Sequence, residues 1–213
     1  MPFQPSNRSR VEPFIAMEVL AAAVERERQG HRVVRMEVGQ PGAPAPKPVV
    51  AAAQAAIASG RLGYTEAMGI RPLREAIAGH YAGAYGLDVS PDRIAVTAGS
   101  SGAFSLAFLA AFDVGQRVAM PTPGYPAYRN LLGALGIEAV EIETGADTRW
   151  ALTPDMIRRA HAQKPLHGIL IASPANPGAS ASPPGEKTVA RTGFTTDPAS
   201  PADVLLDGGL RPN

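Results

Sequence analysis

The chain has 213 residues, 45% of them apolar and 18% charged, a balance typical of a soluble globular protein. Its net charge of +1 gives no electrostatic reason to expect a nucleic-acid or anionic-membrane partner, and the absence of cysteine excludes disulfides, thiolate catalysis and cysteine-ligated metals. The N-terminus does not resemble a signal peptide and no apolar run approaches about 20 residues, so the sequence predicts a cytoplasmic protein.

The first hundred residues predict three helices and two short strands. Apolar residues at helical spacing, prolines at helix starts and glycines after helix ends indicate the helices. They are expected over 14–29, 48–59 and 73–85. Alternating or β-branched residues predict strands over 33–38 and 94–97.

Helices then alternate with strands from residue 101 to residue 172. The predicted helices cover 101–112, 127–135 and 153–161, and the predicted strands cover 117–120, 138–142 and 168–172. This alternation is typical of an α/β domain with a mostly parallel sheet. A domain that stops at a central strand cannot cover both faces of its sheet, so we expect an incomplete domain.

The composition changes after Pro177. The last 36 residues contain five prolines and five glycines, and only residues 204–206 resemble a strand. We therefore expect a disordered tail. In this interpretation the chain divides into an N-terminal segment with small-domain elements (1–40), a partial large domain (41–177) and an atypical tail (178–213).

A turn of small residues precedes the helix predicted at 101–112. Gly99, Ser100, Ser101 and Gly102 would aim free backbone N–H groups and the positive end of the helix dipole at one point. Such a turn is typical of a phosphate or other anion site. In the alternative interpretation, Ser101 only caps the helix and the glycines only tighten the turn.

Two other chemistries have weaker support. Ser101 with His161 or His167 could form a hydrolase site, but residue 103 is alanine where the Gly-x-Ser-x-Gly pattern requires glycine. The four histidines show no metal-ligand spacing, so the sequence predicts no metal site.

Four further residues lie in constrained loops. Gly39 belongs to a Gly-Pro loop whose backbone a ligand could approach closely. Tyr64 lies in a tight loop before the third helix, and Tyr125 lies in a Pro-Gly-Tyr-Pro turn after a strand. Asn176 follows a buried strand between two prolines, at the strand end where ligand sites of open α/β sheets occur.

These segments, in this order, resemble the class I and II pyridoxal-phosphate (PLP) aminotransferases over about residues 10–177. No single segment is specific, but the combination is. The resemblance implies the three-layer, PLP-transferase-type large domain of the aspartate aminotransferase fold. It also implies PLP as cofactor, amino acid and 2-oxo acid substrates, and a homodimer.

The resemblance implies a role for each of the cofactor-facing residues. The N–H groups of Gly99, Ser100 and Ser101 would bind the PLP phosphate. Tyr125 would stack on the pyridine ring, and Asn176 would donate a hydrogen bond to the ring hydroxyl oxygen.

Two residues of the first hundred also receive roles from the resemblance. The backbone N–H of Gly39 would bind the substrate α-carboxylate. Tyr64 would reach across a dimer interface to the phosphate of the PLP held by the partner subunit.

The sequence departs from the family pattern after Asn176. The family's Thr-Gly, its pyridine-pairing aspartate with a following tyrosine, and its Ser-x-x-Lys segment are not found, and Asp207 lacks the expected context. The lysines are Lys47, Lys164 and Lys187, none in the setting of a Schiff-base lysine. No catalytic residue is therefore identified, and the sequence predicts an aminotransferase-family chain that is inactive by itself.

Two alternatives remain open. The chain could be a non-catalytic remnant that binds PLP or a partner, or it could belong to a related PLP lyase or decarboxylase, since one fold serves several reactions. The amino acid substrate is not specified, although the few charges near the predicted pocket favour a neutral one.

Overall fold

A computed structural model describes residues 4–40, 42–60, 62–172, 175–176, 191–193 and 203–205, the last two ranges by their backbone alone. The chain divides into two compact units. One consists of residues 13–97, called the helical region below; the other joins residues 1–12 to residues 98–213. The part of the second unit from residue 98 to residue 172 is called the sheet region.

The helical region contains three helices, at the positions that the sequence predicts. They are α1 (Ile15–Arg28), α2 (Lys47–Ala58) and α3 (Arg71–Tyr85). Prolines in the first turns of α2 and α3 fit the helix start, where a backbone N–H has no acceptor. Gly86 ends α3 in a left-handed conformation with φ 67°, as a helix C-cap requires.

A loop contact closes the end of the helical region. The N–H of Val96 donates to the carbonyl of Met68 at 3.0 Å, and Arg74 donates to the carbonyls of Gly69 and Pro91, each at 3.0 Å. Gly69 has φ 93°, and a Cβ at this position would lie 2.7 Å from Cβ of Val96. Only glycine therefore fits this loop.

The sheet region alternates helices with parallel strands. In chain order they are α4 (Gly99–Ala111), β1 (Arg117–Thr122), α5 (Pro126–Ala134), β2 (Glu138–Glu143), α6 (Pro154–Gln163) and β3 (Gly168–Ile169). The strand order is β2-β1-β3, with both neighbours parallel to β1. The α/β class and the parallel sheet predicted from the sequence are confirmed.

The core of the sheet region lies between β1 and two helices. Phe108 of α4 is 1% exposed and Leu132 of α5 is fully buried. Both pack with Val118 and Met120, which are two residues apart on β1 and therefore point to the same face. Burial of a side chain of this size stabilises the fold by about 1.5–3 kcal/mol.

Ion pairs fasten the edge at which the strands begin, called the amino edge. Arg117 at the start of β1 donates to Glu138 at the start of β2 at 2.8 Å and to the carbonyl of Lys164. The Lys164 ammonium donates to the other Glu138 oxygen at 2.9 Å. Because both cations hydrogen-bond the carboxylate, Arg117 first and then Lys164, the pKa of Glu138 is lowered.

The prediction of two short strands in the first hundred residues is wrong. Residues 33–38 and 94–97 have no regular secondary structure, apart from a bend at 37–38, and join no sheet among the described residues. Val96 instead makes the single loop hydrogen bond to Met68. Alternation predicts which side a residue faces, but a strand also requires a neighbouring backbone with which to pair.

The tail that the sequence predicts to be disordered lies mostly outside the described residues. Within it, β4 (Arg191–Gly193) and β5 (Asp203–Leu205) pair antiparallel. The strand-like residues 204–206 thus overlap β5. The predicted division at residues 40 and 177 stays a prediction.

Candidate functional site

The candidate site lies at the edge of the sheet where the strands end, called the carboxyl edge. From β1 the chain passes to β2 on one side and then returns to β3 on the other side of β1. In open parallel sheets, ligands bind outside the carboxyl ends of strands near such a change of direction. Both α4 and α5 begin at this edge, because α4 leads through residues 112–116 into the amino end of β1 and α5 follows its carboxyl end.

The first turn of α4 carries the predicted phosphate residues. Gly99 opens the helix with φ 77°, a left-handed conformation that favours glycine, and Ser100 and Ser101 are exposed. The N-cap residue, Ala98, makes no side-chain cap hydrogen bond. The N–H groups of Ser100 and Ser101 have no intrahelical acceptor because they belong to the first turn. The alternative in which Ser101 caps the helix is not supported, since Ser101 is the third residue of α4 and the N-cap position is Ala98.

The Tyr125 turn lies between β1 and α5. The peptide bond between Thr122 and Pro123 is cis. Gly124 packs so closely on the strand end that a Cβ there would lie 2.6 Å from the carbonyl oxygen of Pro121. Tyr125 then forms the N-terminal boundary of α5 and is partly buried. The turn therefore needs glycine at 124 to place the Tyr125 ring at the carboxyl edge.

A row of aromatic rings joins the starts of α4 and α5. The Tyr125 ring lies edge-on to Tyr128, with centroids 5.3 Å apart, and Tyr128 lies edge-on to Phe104 at 4.8 Å. Phe104 in turn packs on buried Phe108 at 5.7 Å. Burial, and to a smaller extent the neighbouring Tyr125, raises the pKa of Tyr128. One aromatic cluster thus connects two turns. They are the turn at residues 99–102, called the phosphate turn below, and the turn at residues 121–126, called the Tyr125 turn.

Asn176 follows β3, the strand that neighbours β1. The N–H of Leu170 continues the pairing beyond β3 by donating to the carbonyl of Ala119 at 2.8 Å. The chain leaves β3 toward the carboxyl edge, and Asn176 is exposed. The contact of Asn176 with a cofactor stays a prediction.

Gly39 and Tyr64 belong to the helical region. Gly39 is exposed in a bend, and a Cβ there would meet no atom within 4 Å. Tyr64 is fully exposed. Packing among the described residues thus gives no reason for glycine at 39 or for an aromatic ring at 64, and their predicted ligand roles remain untested.

Lys164 lies at the wrong edge of the sheet to reach this site. Its ammonium pairs with Glu138 at the amino edge. The carboxyl edge is five residue steps along β1, or roughly 16 Å away, which is farther than a lysine side chain extends. Lys47 begins α2 in the helical region, and Lys187 lies outside the described residues.

The hydrolase alternative, in which His161 or His167 would act as the base for Ser101, does not fit the structure. His167 accepts a hydrogen bond at Nδ1 from the backbone N–H of Arg117 at 3.1 Å, which places its ring at the amino edge. His161 accepts one from the N–H of Leu166 at 3.1 Å. Ser101 lies at the opposite end of the sheet, so these imidazoles cannot take its proton.

Neither a metal site nor a membrane-spanning helix is found among the described residues. Within them, no group of three or more histidine or acidic side chains is placed to hold a metal ion. In the same part of the chain, no helix combines the length and the apolar character that crossing a membrane requires.

The sequence does not reveal that the rings of Phe104 and Tyr128 contribute to the candidate site. The sequence places them only within the helices predicted at 101–112 and 127–135 and indicates no further role for either. The usable signal was positional: Tyr128 follows Tyr125 by three residues, and residues at this spacing are neighbours in a first helical turn. The contact with Phe104 depends on how α4 and α5 pack, which spacing does not specify.

Comparison with known proteins gives consistent matches. Residues 31–190 match the family described as "Aminotransferase class I and II". The valine–pyruvate aminotransferase of Mycobacterium tuberculosis is 51% identical over 179 residues, which cover 84% of this chain and 46% of that protein. The aspartate/prephenate aminotransferase of Thermus thermophilus is 32% identical over 78% of this chain and 43% of its own length.

Solved structures agree with the sequence matches. An aminotransferase from Mycobacterium tuberculosis, 50% identical, superposes with a TM-score of 0.80 over 86% of this chain and 47% of that one. The aspartate aminotransferase of Thermus thermophilus with maleate, 31% identical, also gives 0.80, over 86% and 48%. The chain spans about half the length of the relatives that it matches.

Proposed function

Because this chain belongs to the class I and II aminotransferase family, we propose that it forms the cofactor-binding half of a PLP enzyme that moves an amino group between an amino acid and a 2-oxo acid. The observation that carries the proposal is the meeting of two features at the carboxyl edge. A helix start with exposed serines in its first turn lies at the same edge as a turn that holds an aromatic ring.

The residues at this edge fit PLP in chemistry. The first-turn N–H groups of Gly99, Ser100 and Ser101, with the serine hydroxyls, suit a phosphate dianion at the positive end of a helix. The Tyr125 ring offers a flat apolar face for the pyridine ring. Asn176 would donate its amide N–H to the ring hydroxyl oxygen.

PLP, when bound, supplies an electron-withdrawing ring that acidifies the Cα–H of an amino acid. The part of the chain is to hold that ring in one orientation. The phosphate turn fixes one end of the cofactor, and Tyr125 covers one face. Both rest on the packed core beneath α4 and α5, so the cofactor would be held by rigid elements.

Two roles in this proposal lie in the helical region. Gly39 would donate its N–H to the substrate α-carboxylate. Tyr64 would bind the phosphate held by the partner subunit of a homodimer, which gives a reason for an exposed tyrosine at that position.

The substrate class proposed is a neutral aliphatic amino acid with pyruvate as a partner. Its support is the 51% identity to a protein named valine–pyruvate aminotransferase. A cytoplasmic location fits these metabolites. A lyase or decarboxylase would use the same cofactor-binding half, and analysis of the products from valine would distinguish it.

The 213 residues alone are proposed to be inactive. The support is that Lys164 is held at the amino edge by Glu138, and that Lys187 lacks the family's sequence context. Such a chain would retain only PLP or partner binding, which is the second candidate function.

The test is to incubate the purified chain with PLP, valine and pyruvate and to measure alanine. We expect no alanine above a control without protein, and a bound-PLP absorbance band that inorganic phosphate displaces. Alanine formation that is lost in Lys187→Ala would show that Lys187 serves as the cofactor-attaching lysine. The absence of any PLP binding would contradict the proposed function itself.

A further inference from the structure

Tyr128 occupies a position between two parts of the candidate site. Its ring contacts Tyr125, the residue proposed to stack on the cofactor, with centroids 5.3 Å apart and planes at 78°. On its other side it contacts Phe104, with centroids 4.8 Å apart and planes at 65°. Both geometries are edge-to-face contacts, an arrangement that aromatic pairs favour.

The rings below Tyr128 are anchored in the core. Phe104 lies one helical turn beyond the phosphate turn and packs against the buried cluster of the sheet region. Its neighbour Phe108 is 1% exposed, so Phe104 rests on a ring that cannot move without opening the core. Tyr128 therefore has a fixed support.

Tyr125 lies outside that cluster. It lies at the boundary where the backbone passes from the Gly124 turn into α5, and the N–H of Tyr128 donates to its carbonyl at 3.2 Å. This bond orders the Tyr125 backbone and does not involve its ring. The edge of Tyr128 restricts rotation of that ring, because only some orientations of Tyr125 keep the edge-to-face contact.

We propose that Tyr128, supported by Phe104, is a positioning residue that holds the Tyr125 ring in the orientation needed to stack on the pyridine ring of the cofactor. The proposal rests on the proposed function and gives a role to a residue that does not itself contact the cofactor. The part that matters is the ring of Tyr128, because the contacts with Tyr125 and Phe104 are ring contacts.

The test compares two ligands that share a phosphate and differ in a ring. Pyridoxamine 5′-phosphate carries two groups, a phosphate and a pyridine ring. Because it lacks an aldehyde, it does not react with surface lysines. Inorganic phosphate carries only the first. Both are titrated calorimetrically into the full chain and into Tyr128→Leu, Tyr128→Phe, Phe104→Leu and Phe112→Leu.

Loss of the Tyr128 ring should weaken the affinity for pyridoxamine phosphate about fivefold, which corresponds to about 1 kcal/mol. The affinity for inorganic phosphate should stay unchanged. Phe104→Leu should act in the same direction, and Tyr128→Phe should bind like the wild type. Phe112→Leu is the matched control, because it removes the ring on the far side of Phe108, 6.2 Å away, without approaching Tyr125. It should lower the melting temperature but leave both affinities unchanged.

Two results overturn the proposal. One is an equal loss of affinity for both ligands in Tyr128→Leu and Phe104→Leu, which would indicate general damage to the fold. The other is unchanged affinity for both. If the wild type binds phosphate but gains nothing from the pyridine ring, the proposed function fails first, and the role of Tyr128 fails with it.

Discussion

The sheet region and the helical region differ in how they are held together. Every buried residue of the described chain lies between residues 107 and 170, in the sheet region. Among the described residues of 13–97, none is buried, although these helices carry many apolar side chains. Ile57 of α2, for example, is 64% exposed.

The comparison shows that a region can form regular helices without burying a core that stabilises them. Helices α1 to α3 form where local propensity, prolines and caps allow them, but local preference alone stabilises a short helix only marginally. The sheet region closes a core through contacts between residues far apart in sequence. We therefore expect the sheet region to dominate cooperative unfolding, and the exposed apolar faces of the helical region to bind hydrophobic dyes.

The largest expected effect is on the core of the sheet region. Phe108→Ala removes a ring that is 1% exposed and should lower the free energy of unfolding by about 3–5 kcal/mol. Ile57→Ala in α2 is the matched control and should change it by less than about 0.5 kcal/mol, because the side chain is already in water. Chemical denaturation measures both, and equal losses would show that α2 is packed in solution.

A second effect concerns ligand binding at the carboxyl edge and should leave the core intact. Ser101→Asp places a negative charge where the phosphate is proposed to bind, and like charges about 4 Å apart near a protein surface repel by about 4 kcal/mol. Pyridoxamine phosphate affinity should fall well over tenfold.

Ser101→Ala is the control for this charge effect. It should cost much less affinity, because the backbone N–H donors remain. If wild type and Ser101→Asp bind equally in a calorimetric titration, phosphate does not bind at α4. The free energy of unfolding of both variants should match that of the wild type within about 0.5 kcal/mol, since Ser101 is an exposed surface position.

A smaller, local effect is expected in the helical region. Gly69→Ala would force a Cβ to within 2.7 Å of Val96 and break the Val96–Met68 hydrogen bond. Gly60→Ala is the control, because Gly60 also has a positive φ, 68°, but has open space around it. Hydrogen exchange at Val96 should accelerate only in Gly69→Ala. If Gly69→Ala lowers the main melting transition as much as Phe108→Ala, the two regions unfold as one.

The smallest effect is a pH dependence confined to the sheet region. The folded pKa of Glu138 is lowered by Arg117 and Lys164, so its contribution to stability is present above its unfolded pKa of about 4.5 and is lost as the pH falls through the folded value. The stability difference between wild type and Glu138→Gln should therefore shrink below pH 4.5. Parallel melting curves from pH 7 to pH 3 would contradict this.

The helices were largely predictable because their signals are local. Pro126 and Thr153 mark the starts of α5 and α6, and the Thr153 hydroxyl accepts a hydrogen bond from the N–H of Met156 at 3.4 Å. The central strand was predictable from its apolar residues. The strand order was not, because pairing of β1 with both β2 and β3 depends on crossovers that no local pattern encodes.

The candidate site was predictable where its residues lie in turns that contain glycine or proline. The Gly99–Gly102 turn and the Pro-Gly-Tyr-Pro turn stand out in the sequence for this reason. The steric need for Gly124 and the support of Tyr125 by Tyr128 and Phe104 arise from packing between elements. They became visible only once α4, β1 and α5 were placed together.

The contact between Asn130 and the start of the chain has a consequence for biosynthesis. The amide of Asn130 on α5 donates to the carbonyl of Glu12 at 3.1 Å, across 118 residues of sequence. At translation rates of about 5–20 residues per second, the first segment waits roughly 6–24 s before its docking helix has been synthesised. During that interval Glu12 cannot make its contact with α5, so this contact can form only late in synthesis, after α5 has been made.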